Sequence, residues 1–230
     1  MKIGILCAGD GEVAPVLSRM TDIKPTVRIK LRFYEGKLDG HNVVTLFSGV
    51  CKVNAGVATQ VLIDGFGCDA VINCGTCGGI DENVDLFHTV IGTKSFYHDV
   101  NEENFTDFHP WLSEPAFPSD EGLIRAARAV EKSRKAENLH FGLIVSGERF
   151  IVHDERQKII EKFHPLSVDM ETAAAAHTCY VNDIPFLAVR TVTDTGKHPG
   201  LDEFEANCER ASDIAAEVTR LIIGEYGSTI

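Results

Sequence analysis

What limits the possible folds of this chain most is an alternation along its length. Short apolar runs rich in Val and Ile recur, separated by stretches whose apolar residues fall at helical spacing. The runs 3–8, 27–33, 43–47, 70–74, 89–97, 140–145, 166–170 and 186–193 predict strands. Val53, Val57, Val61 and Leu62 mark one helical face, and Leu123, Ile124, Ala127 and Val130 mark another. Phe204, Cys208, Ala211, Ile214, Ala215, Val218, Leu221 and Ile222 mark a long C-terminal helix. Strands that are apolar on both faces need a cover on both faces. The expectation is a single-domain, three-layer α/β sandwich spanning 1–230, its central mixed β-sheet flanked by helices. Pro118-Ser119-Asp120-Glu121 supplies a helix cap and a first-turn acid ahead of Leu123. There is no internal repeat or low-complexity linker.

Composition removes several function classes. With 44% hydrophobic and 24% charged residues in 230, the chain can bury a sizeable core. Its formal charge of -12 argues against a sequence-independent grip on nucleic acid, which depends on Lys and Arg neutralising phosphates. The N-terminal apolar run stops at Gly9 and Asp10, and no other run reaches the roughly 18 residues of a membrane span. Seven cysteines, an odd number scattered through apolar segments, suit reduced thiols in a cytoplasmic protein.

One stretch breaks the alternation. Residues 98–118 carry no clear period, yet hold Phe105, Phe108, Trp111 and Phe117 among prolines and acids. A loop this long in a compact domain is a lid, a binding loop or a disordered segment, and its aromatics favour an ordered one.

Four motifs leave predicted strands. Ala8-Gly9-Asp10-Gly11-Glu12-Val13 combines glycines for close backbone approach with carboxylates that serve either a ligand or a helix dipole. Asn73-Cys74-Gly75-Thr76-Cys77-Gly78-Gly79-Ile80 is a tight turn that could aim amides at a ligand. Its C-x-x-C pair lacks the second pair or histidines of a zinc site. Val168-Asp169-Met170-Glu171-Thr172 sets acids where a strand passes into a helix, to bind hydroxyls or to complement the helix end. Arg190-Thr191-Val192-Thr193-Asp194-Thr195-Gly196 ends in an acid that is either ligand-facing or a cap. All four fall on the edge where open α/β sheets form their ligand crevice.

Together the segments MKIGILCAGDGEV, VINCGTCGGI, GLIVSGERFI, SVDMETAAAAH and AVRTVTD, followed by Leu201-Asp202-Glu203-Phe204, resemble the methylthioadenosine/S-adenosylhomocysteine nucleosidases of the nucleoside phosphorylase superfamily. Order and spacing agree across nearly the whole chain. The resemblance implies a nucleoside phosphorylase-like fold and hydrolysis of the bond between adenine and a 5'-thio-substituted ribose. By it, Glu12 activates the attacking water and Asp194 protonates the purine N7. Glu171 binds ribose hydroxyls, Met170 lies against the sugar, Phe150 stacks on the base and the Ile151 backbone reads the adenine edge. Thr76 stands where the family usually has a serine, Val50 lines the 5'-substituent pocket, and Val168 and Arg190 complete the substrate-binding set. It further implies a homodimer, with the 98–118 loop reaching the neighbouring subunit. No cofactor is expected, and no metal, because the histidines lack ligand spacing.

The chemistry is coherent: adenine leaves poorly as an anion, so a protonated Asp194 lets it depart neutral, which requires a carboxyl pKa raised by burial or a nearby acid. The bacterial-type phosphorylases present arginines to phosphate in the first glycine loop and just before the second. Val13 and Asn73 occupy those neighbourhoods, and Glu12 would repel a phosphate dianion. Trp111, 113–118 and Lys197-His198-Pro199 depart from the commonest members, leaving His198 either near the ligand or solvated. The alternatives are a hydrolase of futalosine-type or ordinary purine nucleosides, a phosphorylase, and a non-catalytic nucleoside-binding module.

Overall fold

A computed structural model describes residues 1–109, 111–112 and 114–228. One ten-stranded mixed sheet organises them. In chain order its strands are β1 (Lys2–Cys7), β2 (Met20–Arg28), β3 (Leu31–Leu38), β4 (His41–Phe47), β5 (Ala70–Gly79), β6 (Thr89–Tyr97), β7 (Phe117–Pro118), β8 (Leu139–Ser146), β9 (Ser167–Asp169) and β10 (Phe186–Asp194). The helices are α1 (Asp10–Ser18), α2 (Lys52–Gln60), α3 (Glu102–Phe108), α4 (Glu121–Lys132), α5 (His153–Phe163), α6 (Thr172–Val181) and α7 (Leu201–Gly227). A π-helical turn, Val61–Gly65, continues α2.

Part of the sheet closes on itself. β10 pairs with both β5 and β6, β6 with β8, β8 with β9, and β9 with β5. From β5 the sheet opens outward through β1, β4, β3 and β2. The closed ring brings the carboxyl ends of β5, β9 and β10 together, next to that of β1.

The strand period of two sorts the core. Ile3, Ile5 and Cys7 of β1 point to the side covered by α1, α4 and α7, where Val13, Leu123, Val130, Val218 and Ile222 meet them. Leu6 points to the other side, under α2 and α6, with Val44, Ala58, Leu62 and Ala175. The three-layer expectation is met.

Four local expectations change. The single strand over 27–33 is a hairpin, because Ile29 and Lys30 turn the chain with φ of 49° and 69°. Such turns normally show as Asn or Gly, so nothing in the residue types marked this one. β5 continues past Cys74 to Gly79, through the expected turn. The Val53–Val57 face of α2 points outward, these residues being 74% and 48% exposed. Small Ala55 and Ala58 face inward instead, which lets α2 lie close to α6. Lastly, 98–118 contains α3 and β7 rather than loop alone. Phe105 and Phe117 pack with Phe96, Tyr97 and His177, while Phe108 and Trp111 stay exposed. Pro110 and Ser113 of that stretch lie outside the described residues. All seven cysteines are free. No described helix is long and apolar enough to cross a membrane.

The cap ahead of α4 forms as expected: the Leu123 amide donates to Asp120 Oδ1 at 2.8 Å. Asp120→Ala is expected to lower unfolding stability by about 1 kcal/mol, and Leu123→Ala, which empties a buried site, by about 2–5 kcal/mol. Urea titration checks both; an unchanged midpoint for Asp120→Ala would leave the cap without energetic weight.

Candidate active site

The glycine-rich turn after β1 folds back as the extended Gly9 residue and starts α1, which carries Glu12 inward in its first turn. Its carboxylate is held at both oxygens. Oε2 accepts from the amides of Ala8 at 2.7 Å and Gly9 at 3.2 Å; Oε1 accepts from the Thr76 amide at 2.7 Å and hydroxyl at 2.9 Å. Glycine at 75 is required for this approach, since a β-carbon there would stand 2.4 Å from Glu12 Oε1.

Asp194 ends β10 opposite Gly78 of β5 and is only 4% exposed. Its one hydrogen bond among the described residues comes from the Thr193 hydroxyl at 2.9 Å. Burial pushes this carboxyl up to about 6, against the Thr193 bond and the positive charge of Arg156. The two acids therefore have opposite surroundings: one is saturated with donors, the other is starved of them.

Between them lies a buried ion cluster. Arg190 of β10 is 2% exposed. It donates from Nη1 to Asn73 Oδ1 at 2.6 Å and from Nη2 to Glu171 Oε2 at 3.0 Å, and its Nε lies 3.1 Å from Asp169 Oδ2. Asp169 also accepts from the Ser146 hydroxyl at 2.5 Å and from the Thr172 hydroxyl and amide. Glu171 accepts the Cys51 amide at 2.9 Å, from a residue at φ 81°. Burial pushes Glu171 up to about 7, with Arg190 opposing and Asp169 and Glu12 adding to the rise.

These elements enclose a cavity of about 440 Å³, within the range of small-molecule sites. Nine of the ten residues expected at the site line it: Glu12, Val50, Thr76, Phe150, Ile151, Val168, Met170, Arg190 and Asp194. Glu171, the tenth, is buried beside the lining residues Met170 and Arg190, its carboxylate accepting from Arg190 and the Cys51 amide. Leu201, Phe204 and Cys208 also line it, the Phe204 ring facing that of Phe150 edge-on at 6.1 Å. At helical spacing Phe204 and Cys208 read as core residues of α7, and only the resemblance through Leu201-Asp202-Glu203-Phe204 hinted otherwise. The supports of Arg190 also escaped the sequence reading, although a charge inside the apolar run 186–192 demands buried partners.

Cys74 and Cys77 lie in opposite core layers, and burial pushes the Cys77 thiol up to about 12, so Cys77 offers no thiolate. His198 is exposed, as in the solvated reading. Among the described residues, no three His, Cys, Asp or Glu side chains gather as a metal would require.

Acids converge at the strand ends of this half-closed mixed sheet, and the Phosphorylase superfamily model matches residues 2–224. The chain belongs to that superfamily. It is 33% identical to the 5'-methylthioadenosine/S-adenosylhomocysteine nucleosidase of an Exiguobacterium species, over 96% of this chain and 97% of the relative. The nucleosidase of the same name from Neisseria meningitidis, solved with methylthio-immucillin-A, is 32% identical and superposes with a TM-score of 0.88, covering 96% of this chain and 98% of that one. Within the superfamily, the chain is a member of this nucleosidase family. Futalosine hydrolase of Helicobacter pylori, 24% identical, shares the fold with a TM-score of 0.89, covering 98% of both chains.

Because the folded state holds the Asp194 proton more tightly than the unfolded chain does, the stability this brings is complete below about 3.8 and lost as pH rises through about 6. Between pH 4 and 7 the wild type is expected to lose on the order of 2–3 kcal/mol relative to Asp194→Asn. Guanidinium titrations across that window measure it, and parallel curves would mean that Asp194 is ionised throughout.

Proposed function

We propose that this protein hydrolyses the N-glycosidic bond of 5'-methylthioadenosine and S-adenosylhomocysteine, releasing adenine and the 5'-thio-substituted ribose. The observation that carries this reading is that Glu12 and Asp194, unlike in their surroundings, line the same cavity.

Asp194, its carboxyl pushed up to about 6 by burial, gives its proton when protonated to the purine N7, so that adenine leaves neutral. The ribose gains oxocarbenium character, and the carboxylate of Glu12 removes a proton from the water that adds to it. With four donors fixing its oxygens, Glu12 needs little reorganisation to act. Phe150 stacks on the base opposite the Phe204 edge, the Ile151 backbone reads the adenine edge, and Met170 and Val168 pack on the sugar. Glu171 takes the ribose hydroxyls, with Thr76 beside the sugar and Val50 at the 5'-group. Arg190 holds Glu171 in place.

Two features favour water over phosphate. Arg190, the buried cation of the cavity wall, is already paired with two carboxylates, and Arg149 is paired with Glu155 at 2.6 Å. Glu12 itself would repel an incoming dianion. The partner is a small purine nucleoside, with no nucleic acid, membrane, cofactor or metal involved. We place the enzyme in the cytoplasm, in keeping with its free thiols, as one catalytic domain in a homodimer. Outward-facing Val53 and Val57 on α2 and Val181 on the adjoining α6 support that assembly.

Wild-type protein in phosphate-free buffer is expected to release adenine from both nucleosides. Glu12→Gln and Asp194→Asn should retain ligand while losing about 10²- to 10⁴-fold in kcat. Release that requires phosphate would make the protein a phosphorylase, and release only from inosine or futalosine would change the substrate. Tight binding without turnover, unaltered by Glu12→Gln, would make it a binding module. Val57→Glu is expected to convert a sedimenting dimer to a monomer; a monomeric wild type would remove the dimer.

A further inference from the structure

Behind Asp194 stands a cation that the mechanism above leaves unused. Arg156 is a half-buried residue of α5, and its guanidinium makes no hydrogen bond or ion pair among the described residues. It reaches toward the loop that follows Asp194, so close that a β-carbon at position 196 would lie 3.3 Å from its Nε. A side chain at 196 would press on it.

On its inner side, Arg156 shares with Asp194 a small cavity of about 20 Å³, walled also by Ile151, Thr195 and Gly196. That is space for about one water molecule, so the guanidinium acts on the carboxyl across a narrow gap and not by direct contact. On its outer side, Arg156 borders a larger cavity of about 440 Å³ with Asp81, Glu82, Asp85, His164 and Lys197, which joins it to solvent. With no hydrogen bond or ion pair among the described residues, and Asp81, Glu82 and Asp85 standing across the solvent-joined cavity, Arg156 has the buried Asp194 as its main electrostatic neighbour.

We propose that Arg156 is the positioning residue for the acid: from across this gap it sets how firmly Asp194 holds the proton handed to the base. The inference rests on the nucleosidase reading above. Each element packed around Asp194 contributes: Thr193 of β10 donates its hydroxyl, Cys77 of β5 brings a thiol, Glu203 of α7 adds a negative charge, and α5 supplies Arg156. Burial and Glu203 favour the protonated carboxyl; Arg156 and Thr193 favour the carboxylate. An acid that never releases its proton is as poor a catalyst as one that never holds it, and a donor poised near working pH is best. Arg156 is the charge that keeps burial from carrying Asp194 past that balance.

The test follows the carboxyl directly. In protein carrying ¹³C-labelled aspartate side chains, the Asp194 resonance is identified by its loss in Asp194→Asn and titrated in wild type, Arg156→Gln and Arg156→Lys. Arg156→Gln is expected to raise the titration midpoint by about one pH unit, roughly a tenfold change in proton affinity. The alkaline limb of kcat/KM should move upward with it. Arg156→Lys, which keeps the charge, should return both most of the way. Gly196→Ala, whose β-carbon at 3.3 Å from Nε would displace the guanidinium by a few tenths of an ångström, should shift both in the same direction by less, and serves if Arg156→Gln does not fold. A midpoint that stays put in Arg156→Gln, or that moves equally in Arg156→Lys, overturns the proposal. A shifted midpoint in a protein whose wild type releases no base supports the Arg156–Asp194 pairing and overturns the nucleosidase reading instead.

Discussion

The Arg190 guanidinium, sealed inside the sheet, is the interaction on which the rest of the site depends. A lone charge there would be prohibitive, so the fold surrounds it with Asp169, Glu171 and the Asn73 amide oxygen. Those partners come from β9, the start of α6 and β5, so satisfying one cation aligns the elements that build the cavity. Removing the guanidinium alone would leave two carboxylates facing each other without water. The observed alignment of β10 beside β5 is one that leaves this charge paired, and it sets Asp194 opposite Gly78.

Given that frame, two chemically similar acids acquire opposite surroundings. Glu12 meets four donors, two from the turn after β1 and two from Thr76. Asp194 meets a single hydroxyl and little solvent. Separating the surroundings of two carboxylates in this way is how one fold can set an acid and a base side by side. Three of the four donors to Glu12 are backbone amides fixed by the strand ends, which cannot rotate away.

The sheet was legible in the sequence because its strands are apolar on both faces, and a run such as 186–193 has no other use in a chain of this composition. The site was legible to the extent that its acids follow those runs directly. The hairpin at Ile29-Lys30 was hidden because neither residue type announces a positive φ. The outward turn of Val53 and Val57 was hidden because the helical period identifies an apolar stripe but not what covers it. Nor could the period show that Phe204 and Cys208 border a cavity while Ile222, on the same helix, lies in the core. The bonds from Arg190 span 117 residues to Asn73 and 19 to Glu171, and no local pattern encodes such pairings.

Closure of β5, β10, β6, β8 and β9 into a ring leaves few backbone groups open to a stranger's strand. Apart from the two-residue β7, the described sheet ends at β2, and β2 is poorly suited to recruit another chain. Pro25 lacks an amide hydrogen, Lys24 and Arg28 carry charge, and the register slips between Thr21 and Lys24, where Asp22 adopts a φ of 57°. The molecule can thus hold a broad, apolar sheet at high concentration with little tendency to polymerise edge to edge, even though Ile23 and Val27 lie exposed on that rim.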